Sequence, residues 1–235
     1  MTQSSSTTEQ LEPQKILLEL TCKVEALESS GKFVPSSKSR RPEAATDPFA
    51  LRVLVAATAA GFTKTLFTRC PDEYYSWPLE KRRGLLRGAS LHHLTKSIVL
   101  QNTRHDGDHN PDDVLRSKFL CCVVPYSTKI NSDALRDAVR KLFGERGLQV
   151  PSARHFNYRL AEDCIGVTGY EPNAVTPLGL KTRMPVVLAK QIAQLDPPTF
   201  WLGAGEVSLK WRVELDEFVS AFNPVVLDFA ISEES

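Results

Sequence analysis

Residues 118–126 read KFLCCVVPY and residues 95–102 read TKSIVLQN, and these two runs decide the fold class. The first is continuously apolar from Phe119 to Val124, and the second carries the β-branched Thr95, Ile98 and Val99. Both patterns predict strands. Working outward, NSDALRDAVRKLFG (131–144) predicts a capped helix. Further short strands are predicted at MPVVLA (184–189), TFWLGA (199–204), VSLKWRV (207–213) and VVLDFA (225–230), with brief helices between them. Upstream, DPFALRVLVAATAAG (47–61) has an N-cap Asp47, a proline at the first helical position and Gly61 as its stop. A strand at FTKTLF (62–67) and a helix from Leu79 to Leu94 complete the reading. Many short strands interrupted by helices give a mixed α/β (α+β) domain over residues 47–230. There is no internal repeat.

The 46 residues before this domain have a different character. Residues 1–14 are polar and read as a disordered tail. Residues 15–30 place Ile16, Leu17, Leu20, Val24 and Leu27 at helical spacing, and Gly31 follows. Residues 31–46, rich in Pro, Ser and charge, read as a linker. The apolar stripe of the tethered helix packs either on the domain or on a partner.

Composition excludes several classes. Of 235 residues 42% are apolar, and 29 basic side chains against 28 acidic ones leave a net charge of +1. A protein gripping long nucleic acid carries a strong basic excess, so any contact here is small. The basic runs KSRR (38–41) and EKRRGLLR (80–87) are candidate phosphate contacts, though such runs are more often solvated faces. Cys22, Cys70, Cys121, Cys122 and Cys164 form no CxxC, their count is odd, and no secretory signal precedes them. Reduced thiols and a cytoplasmic location follow. Cys121 and Cys122 lie in an apolar run and read as packing residues. No stretch reaches the ~20 apolar residues that span a bilayer, and MTQSSSTTEQLEPQ lacks the Arg and Lys of a mitochondrial leader.

Motifs for metal or nucleotide chemistry fail on inspection. DGDHNPD (106–112) offers oxygen ligands at alternate positions. An EF-hand then needs Gly and Glu where Pro111 and Ser117 stand. His105 and His109 would need a helix to share a zinc ion, and Gly107 and Pro111 oppose one. No metal and no cofactor are expected. GAGEVSLK (203–210) follows a strand and leads into another. Gly203, Ala204 and Gly205 make either a tight turn or a close backbone approach to a ligand. GYEPNAVTPLGLKT (169–182) holds two glycines and two prolines, so it turns a corner or presents its backbone amides to a ligand.

HLTKSIVLQNT, HFNYRL, TGYEPNAVTPLGLKTRMPVVL, TFWLGAGEVSLKWRV and DEFVSAFNP occur in this order. Together these segments closely resemble the YbaK/prolyl-tRNA synthetase-associated domain family, over roughly residues 48–229. The resemblance implies a curved mixed sheet closing towards a barrel with flanking helices. It implies a deacylase that edits mischarged aminoacyl-tRNA, acting in trans, with tRNA(Pro) carrying Ala or Cys as substrate. The family's pocket lysine matches Lys96. Its Gly-x-x-x-Pro loop matches Asn173, Ala174, Val175, Thr176 and Pro177, with Asn in place of the first Gly. Asn tolerates positive φ better than most residues, so the loop's shape is expected to survive the change. Gly169, Gly203, Ala204 and Gly205 complete the expected substrate-binding set. The implied partners are the acceptor end of aminoacyl-tRNA and, through the N-terminal helix, an aminoacyl-tRNA synthetase complex; no membrane is involved. A non-catalytic tRNA-end binder or scaffold subunit is the alternative.

Overall fold

The computed structural model describes residues 48–64 and 66–232. The expected tail, the helix at 15–30 and the linker to residue 46 lie outside the described residues, as does Asp47. In chain order the described elements begin with α1 (Pro48–Ala59), β1 (Leu66–Arg69), α2 (Leu79–Leu86), β2 (Thr95–Asn102) and β3 (Phe119–Pro125). Next come β4 (Thr128–Ile130), α3 (Ser132–Glu145), β5 (Tyr158–Leu160) and α4 (Cys164–Thr168). The chain continues with β6 (Val186–Ala189), α5 (Lys190–Ala193), β7 (Thr199–Gly203) and β8 (Leu209–Glu214). It closes with α6 (Leu215–Phe222), β9 (Val225–Leu227) and β10 (Ala230–Ser232). The architecture is the mixed α/β one that the sequence predicts.

The two deciding runs lie side by side at the centre. β2 and β3 pair antiparallel, Lys96 opposite Val124 and Val99 opposite Cys121. β3 then pairs parallel with β6, β6 parallel with β9, and β5 flanks β2, giving the order β5-β2-β3-β6-β9. A strand covered on both faces is apolar throughout, and Leu120 to Val124 are all fully buried. β1, β8 and β7 form a second, antiparallel sheet, and β4 pairs with β10. The two larger sheets meet where Leu94 bridges to Trp201 and the Thr95 hydroxyl donates to the Trp201 carbonyl at 2.7 Å.

Three expectations need correction. The helix from Leu79 stops at Leu86, because Arg87 turns left-handed at φ 53. A Cβ on Gly88 would lie 2.9 Å from Leu94 Cδ1. A separate one-turn 3-10 helix, Leu91–His93, follows and is capped reciprocally by Ser90 and His93. Within FTKTLF the described strand begins at Leu66. Phe62 is instead buried edge-on to Trp211, with ring centroids 4.9 Å apart, and Thr63 donates from its N–H and hydroxyl to Glu217. VVLDFA is two strands, not one. β9 joins the large sheet, and β10 turns away after the buried Phe229 to pair with β4.

Candidate functional site

Alternation along β2 separates two jobs. Thr95 points to Trp201 and ties the sheets together, while Lys96, half-buried, brings its Nζ to 5.7 Å from the centre of the Tyr126 ring. Tyr126 belongs to a second apolar cluster apart from the main core. Cys70, Tyr74, Leu86, Leu94 and Trp201 are its buried members, with Tyr75, Trp77 and Tyr126 packed on them. A short 3-10 helix, Asp72–Ser76, supplies Tyr74 and Tyr75. Arg82, on α2, donates to the carbonyls of Trp77 at 2.9 Å and Tyr75 at 2.5 Å. Its guanidinium also lies over the rings of Tyr74, Tyr75 and Tyr126. One arginine of the EKRRGLLR run is therefore a structural tie rather than part of a solvated face, and Lys81 stacks on Trp77 at 3.7 Å. Burial pushes the phenols of Tyr74, Tyr75 and Tyr126 above their ordinary range, so all three hold their protons.

The loop after α4 is clamped at both ends. Gly169 ends α4 at φ 71, and its carbonyl accepts from Arg52 Nη2 at 2.9 Å. The Arg52 guanidinium lies 3.9 Å over the Tyr170 ring, and Tyr170 in turn donates to the Leu178 carbonyl at 2.7 Å. Between these anchors Asn173 takes φ 68, the left-handed region that asparagine tolerates. Ala174, Val175, Thr176, Pro177 and Leu178 are all buried. The loop leans on the end of β7. The Gly205 N–H donates to the Ala174 carbonyl at 3.0 Å, and a Cβ on Gly203 would stand 2.9 Å from the Val175 oxygen. Gly203 thus allows close approach of the Asn173 loop, whereas a Cβ on Gly205 would stand 2.6 Å from the Phe49 carbonyl oxygen of α1. Ala204, fully buried between them, donates to the Leu209 carbonyl at 3.2 Å.

Tyr75 joins the two halves. Its hydroxyl donates to the Asn173 carbonyl at 2.8 Å and is hydrogen-bonded to Tyr126, the ring that Lys96 faces. Lys210, on β8, donates to the same Tyr75 oxygen at 2.6 Å and to the Val207 carbonyl at 3.0 Å. It is only 3% exposed, and burial pulls its ammonium down to about 8, with Cys70 opposing that shift and Arg82 adding to it. A cleft of about 320 Å³ opens beside Tyr75, lined by Tyr74, Tyr75, Glu171, Ala174, Gly205 and Glu206 among others. That volume is in the range of small-molecule sites. Of the expected site residues only Ala174 and Gly205 line it; Lys96, Gly169, Asn173, Val175, Thr176, Pro177, Gly203 and Ala204 do not. Lys96 approaches from the Tyr126 side, and Gly169 serves the Arg52 clamp.

Sequence reasoning missed Tyr75, Tyr126, Arg52, Tyr170 and Lys210. The tyrosine pair in PDEYYSWP, enclosed by two prolines, is one available signal. A lone lysine inside the strand run LKWRV is another. Elsewhere, His109 Nδ1 accepts from the Lys118 N–H at 3.2 Å and its Nε2 donates to the Arg183 carbonyl at 2.7 Å, which leaves neither nitrogen to a metal. Among the described residues no group of three metal-ligating side chains is found. Burial pushes the Cys121 thiol up to about 12, that of an inert packing residue.

Among the described residues no helix is long and apolar enough to cross a membrane. No family model and no curated protein matches the chain in sequence. Solved structures do match in shape. One is a protein proposed to be a trans-editing enzyme for prolyl tRNA synthetase, with TM-score 0.57 and 19% identity over 80% of this chain and 99% of that one. A computationally designed epitope scaffold matches with TM-score 0.56 and 16% identity over 80% and 99%. A hypothetical protein matches with TM-score 0.55 and 17% identity over 77% and 99%. At such identities these likenesses establish the fold, and the chain from α1 to β10 has the YbaK-like mixed α/β fold.

Proposed function

We propose that the chain is a trans-editing hydrolase that deacylates mischarged aminoacyl-tRNA, with tRNA(Pro) carrying a small non-cognate residue such as Ala or Cys as substrate. The observation that carries this reading is the link from Lys96 through Tyr126 and Tyr75 to the Asn173 loop, beside a cleft of small-molecule size. The shape shared with a protein proposed to edit for prolyl tRNA synthetase supports it.

The chemistry asks little of the protein. An aminoacyl ester is activated, so water adds to its carbonyl carbon without a protein nucleophile. The oxyanion then collapses with cleavage of the bond to the ribose oxygen, which leaves as a hydroxyl with a proton from the attacking water. The protein's share is positioning and stabilisation of the developing charge. Lys96 supplies the cation, to the oxyanion or to the terminal phosphate. The backbone of Asn173–Pro177 orients the aminoacyl group, and the terminal ribose hydroxyl helps to activate water. The phenols, held protonated, offer hydrogen bonds without adding negative charge.

Deacylation of a panel of mischarged tRNAs by the full chain and by Lys96→Ala tests the reading. The variant should lose about 10- to 1000-fold in single-turnover rate, the scale of one electrostatic contact to a transition state. It should keep its melting temperature, because a half-buried lysine stem adds little to the core. An undiminished rate in folded Lys96→Ala, or no deacylation by the wild-type chain, would put the tRNA-end binder or scaffold ahead.

A further inference from the structure

Lys210 belongs to no motif that the function uses, yet it is the most deeply buried charge among the described residues. It sits on β8 directly opposite Gly203 on β7 and Thr68 on β1. Paired residues point to one face of a sheet. The missing side chain of Gly203 lets the Asn173 loop come up to the face where Lys210 lies, with Val175 O at 2.9 Å from the absent Cβ. The hydrogen bonds of Lys210 go to Tyr75 and Val207, not to the loop. Tyr75 stands between them, accepting from Nζ at 2.6 Å and donating to the Asn173 carbonyl at 2.8 Å.

The direction of this relay follows from valence. An ammonium has three protons and no lone pair, so Tyr75 accepts from it, takes the Tyr126 phenol on its second lone pair, and keeps its own single proton for Asn173. A neutral amine has a lone pair, which competes for that phenolic proton. We propose that Lys210 is a positioning residue whose ammonium directs the Tyr75 proton to the Asn173 carbonyl and thereby holds the Asn173–Pro177 loop in its working conformation. Loss of that proton releases the loop. This inference rests on reading the loop as the substrate wall.

The surroundings make the switch operate near neutrality. Lys210 is faced by Tyr74 and Tyr75 from the 3-10 helix, by Arg82 from α2, by Cys70 after β1, and by the Val207 carbonyl of its own turn. Nζ lies 4.7 Å from the Tyr75 ring and 5.4 Å from the Tyr74 ring, which favours the cation. Burial and Arg82 oppose it, and burial is the larger effect, drawing the group down to about 8. Tyr75 and Tyr126 are pushed up and do not titrate in this range, nor does Cys70, at about 11.

Amide hydrogen exchange on the full chain tests the proposal without relying on catalysis. Protection of the peptide covering 170–178 is compared at about pH 7 and about pH 9, either side of the Lys210 transition, after correction for intrinsic exchange. In the wild-type chain it should fall by roughly 3- to 10-fold, the worth of one hydrogen bond. Lys210→Met, which removes the competing lone pair together with the ammonium, should show no change in protection between the two pH values. Tyr75→Phe removes one oxygen and keeps the ring, and it should do the same if Lys210→Met does not fold. In steady state, Tyr75→Phe should raise KM more than it lowers kcat. Protection in folded Tyr75→Phe equal to wild type, or a wild-type profile without pH dependence, would overturn the proposal. Absence of deacylation by the wild-type chain would sink the proposed function while leaving the exchange result to stand on its own.

Discussion

At the scale of single residues, Asn173 is the clearest departure from the pattern the sequence resembles, and its geometry explains why the departure is tolerated. A φ of 68 is costly for most side chains and cheap for Gly and Asn. Asn173→Gly should therefore leave the melting temperature nearly unchanged. Removing the side chain adds room and backbone freedom, so discrimination among alanyl-, cysteinyl- and seryl-tRNA should change more than the overall rate. Asn173→Val is the opposite case. A β-branched residue held in this region costs on the order of 1–3 kcal/mol, which should appear as a lower denaturation midpoint. It should also weaken the Tyr75 contact, because relief of the strain moves the Asn173 carbonyl. Equal stability of the Gly and Val variants would mean that the loop does not hold this conformation in solution.

At the scale of elements, α3 gives a test kept away from the site. Asn131 caps it by accepting from the N–H groups of Asp133 and Ala134, both at 3.0 Å. Asn131→Ala should cost about 1 kcal/mol of unfolding free energy and leave deacylation unchanged, because α3 does not border the 320 Å³ cleft. Denaturant titration alongside the rate assay checks both. This cap, like β2, β3 and β7, was legible in the sequence because the signal is local: a capping side chain, or an apolar run longer than a turn. The elements that escaped are short and made by their partners. β5 carries Leu160 at 69% exposure and β4 is three residues long, so neither has a hydrophobic pattern to read. The break after Leu86 was written in Gly88 and Ser90, but helix-forming residues on both sides masked it. At the candidate site, the strand position of Lys96 and the turn at Asn173 were legible in the sequence. Lys210 was not, because a lysine in a strand ordinarily faces water. Only the fold brings Cys70, Tyr74 and Tyr75 over it.

At the scale of the whole molecule, a buried cation in the small sheet ties stability to pH. The folded chain lowers Lys210 to about 8, against 10.5 for an ordinary lysine. Below about 8 both folded and unfolded chains hold the proton, and the folded state bears the full penalty of the buried charge. Between about 8 and 10.5 the unfolded chain still binds the proton while the folded chain has released it, so stability must rise with pH across this window. The gain approaches ~3 kcal/mol for a shift of this size. Cys70 works the other way: its thiol, lifted from 9.0 to about 11, stays protonated in the folded state, so it favours folding less as pH climbs through that range. The two effects overlap in the wild-type curve, and subtraction separates them. The unfolding free energy of wild type minus that of Lys210→Met, measured by urea titration from about pH 7 to 10.5, should increase steadily above about pH 8. A difference independent of pH would show that Lys210 titrates as an exposed lysine does. A rising difference would mean that the domain forgoes stability near neutral pH to keep a charge beside Tyr75, a cost more in keeping with a working site than with a structural core.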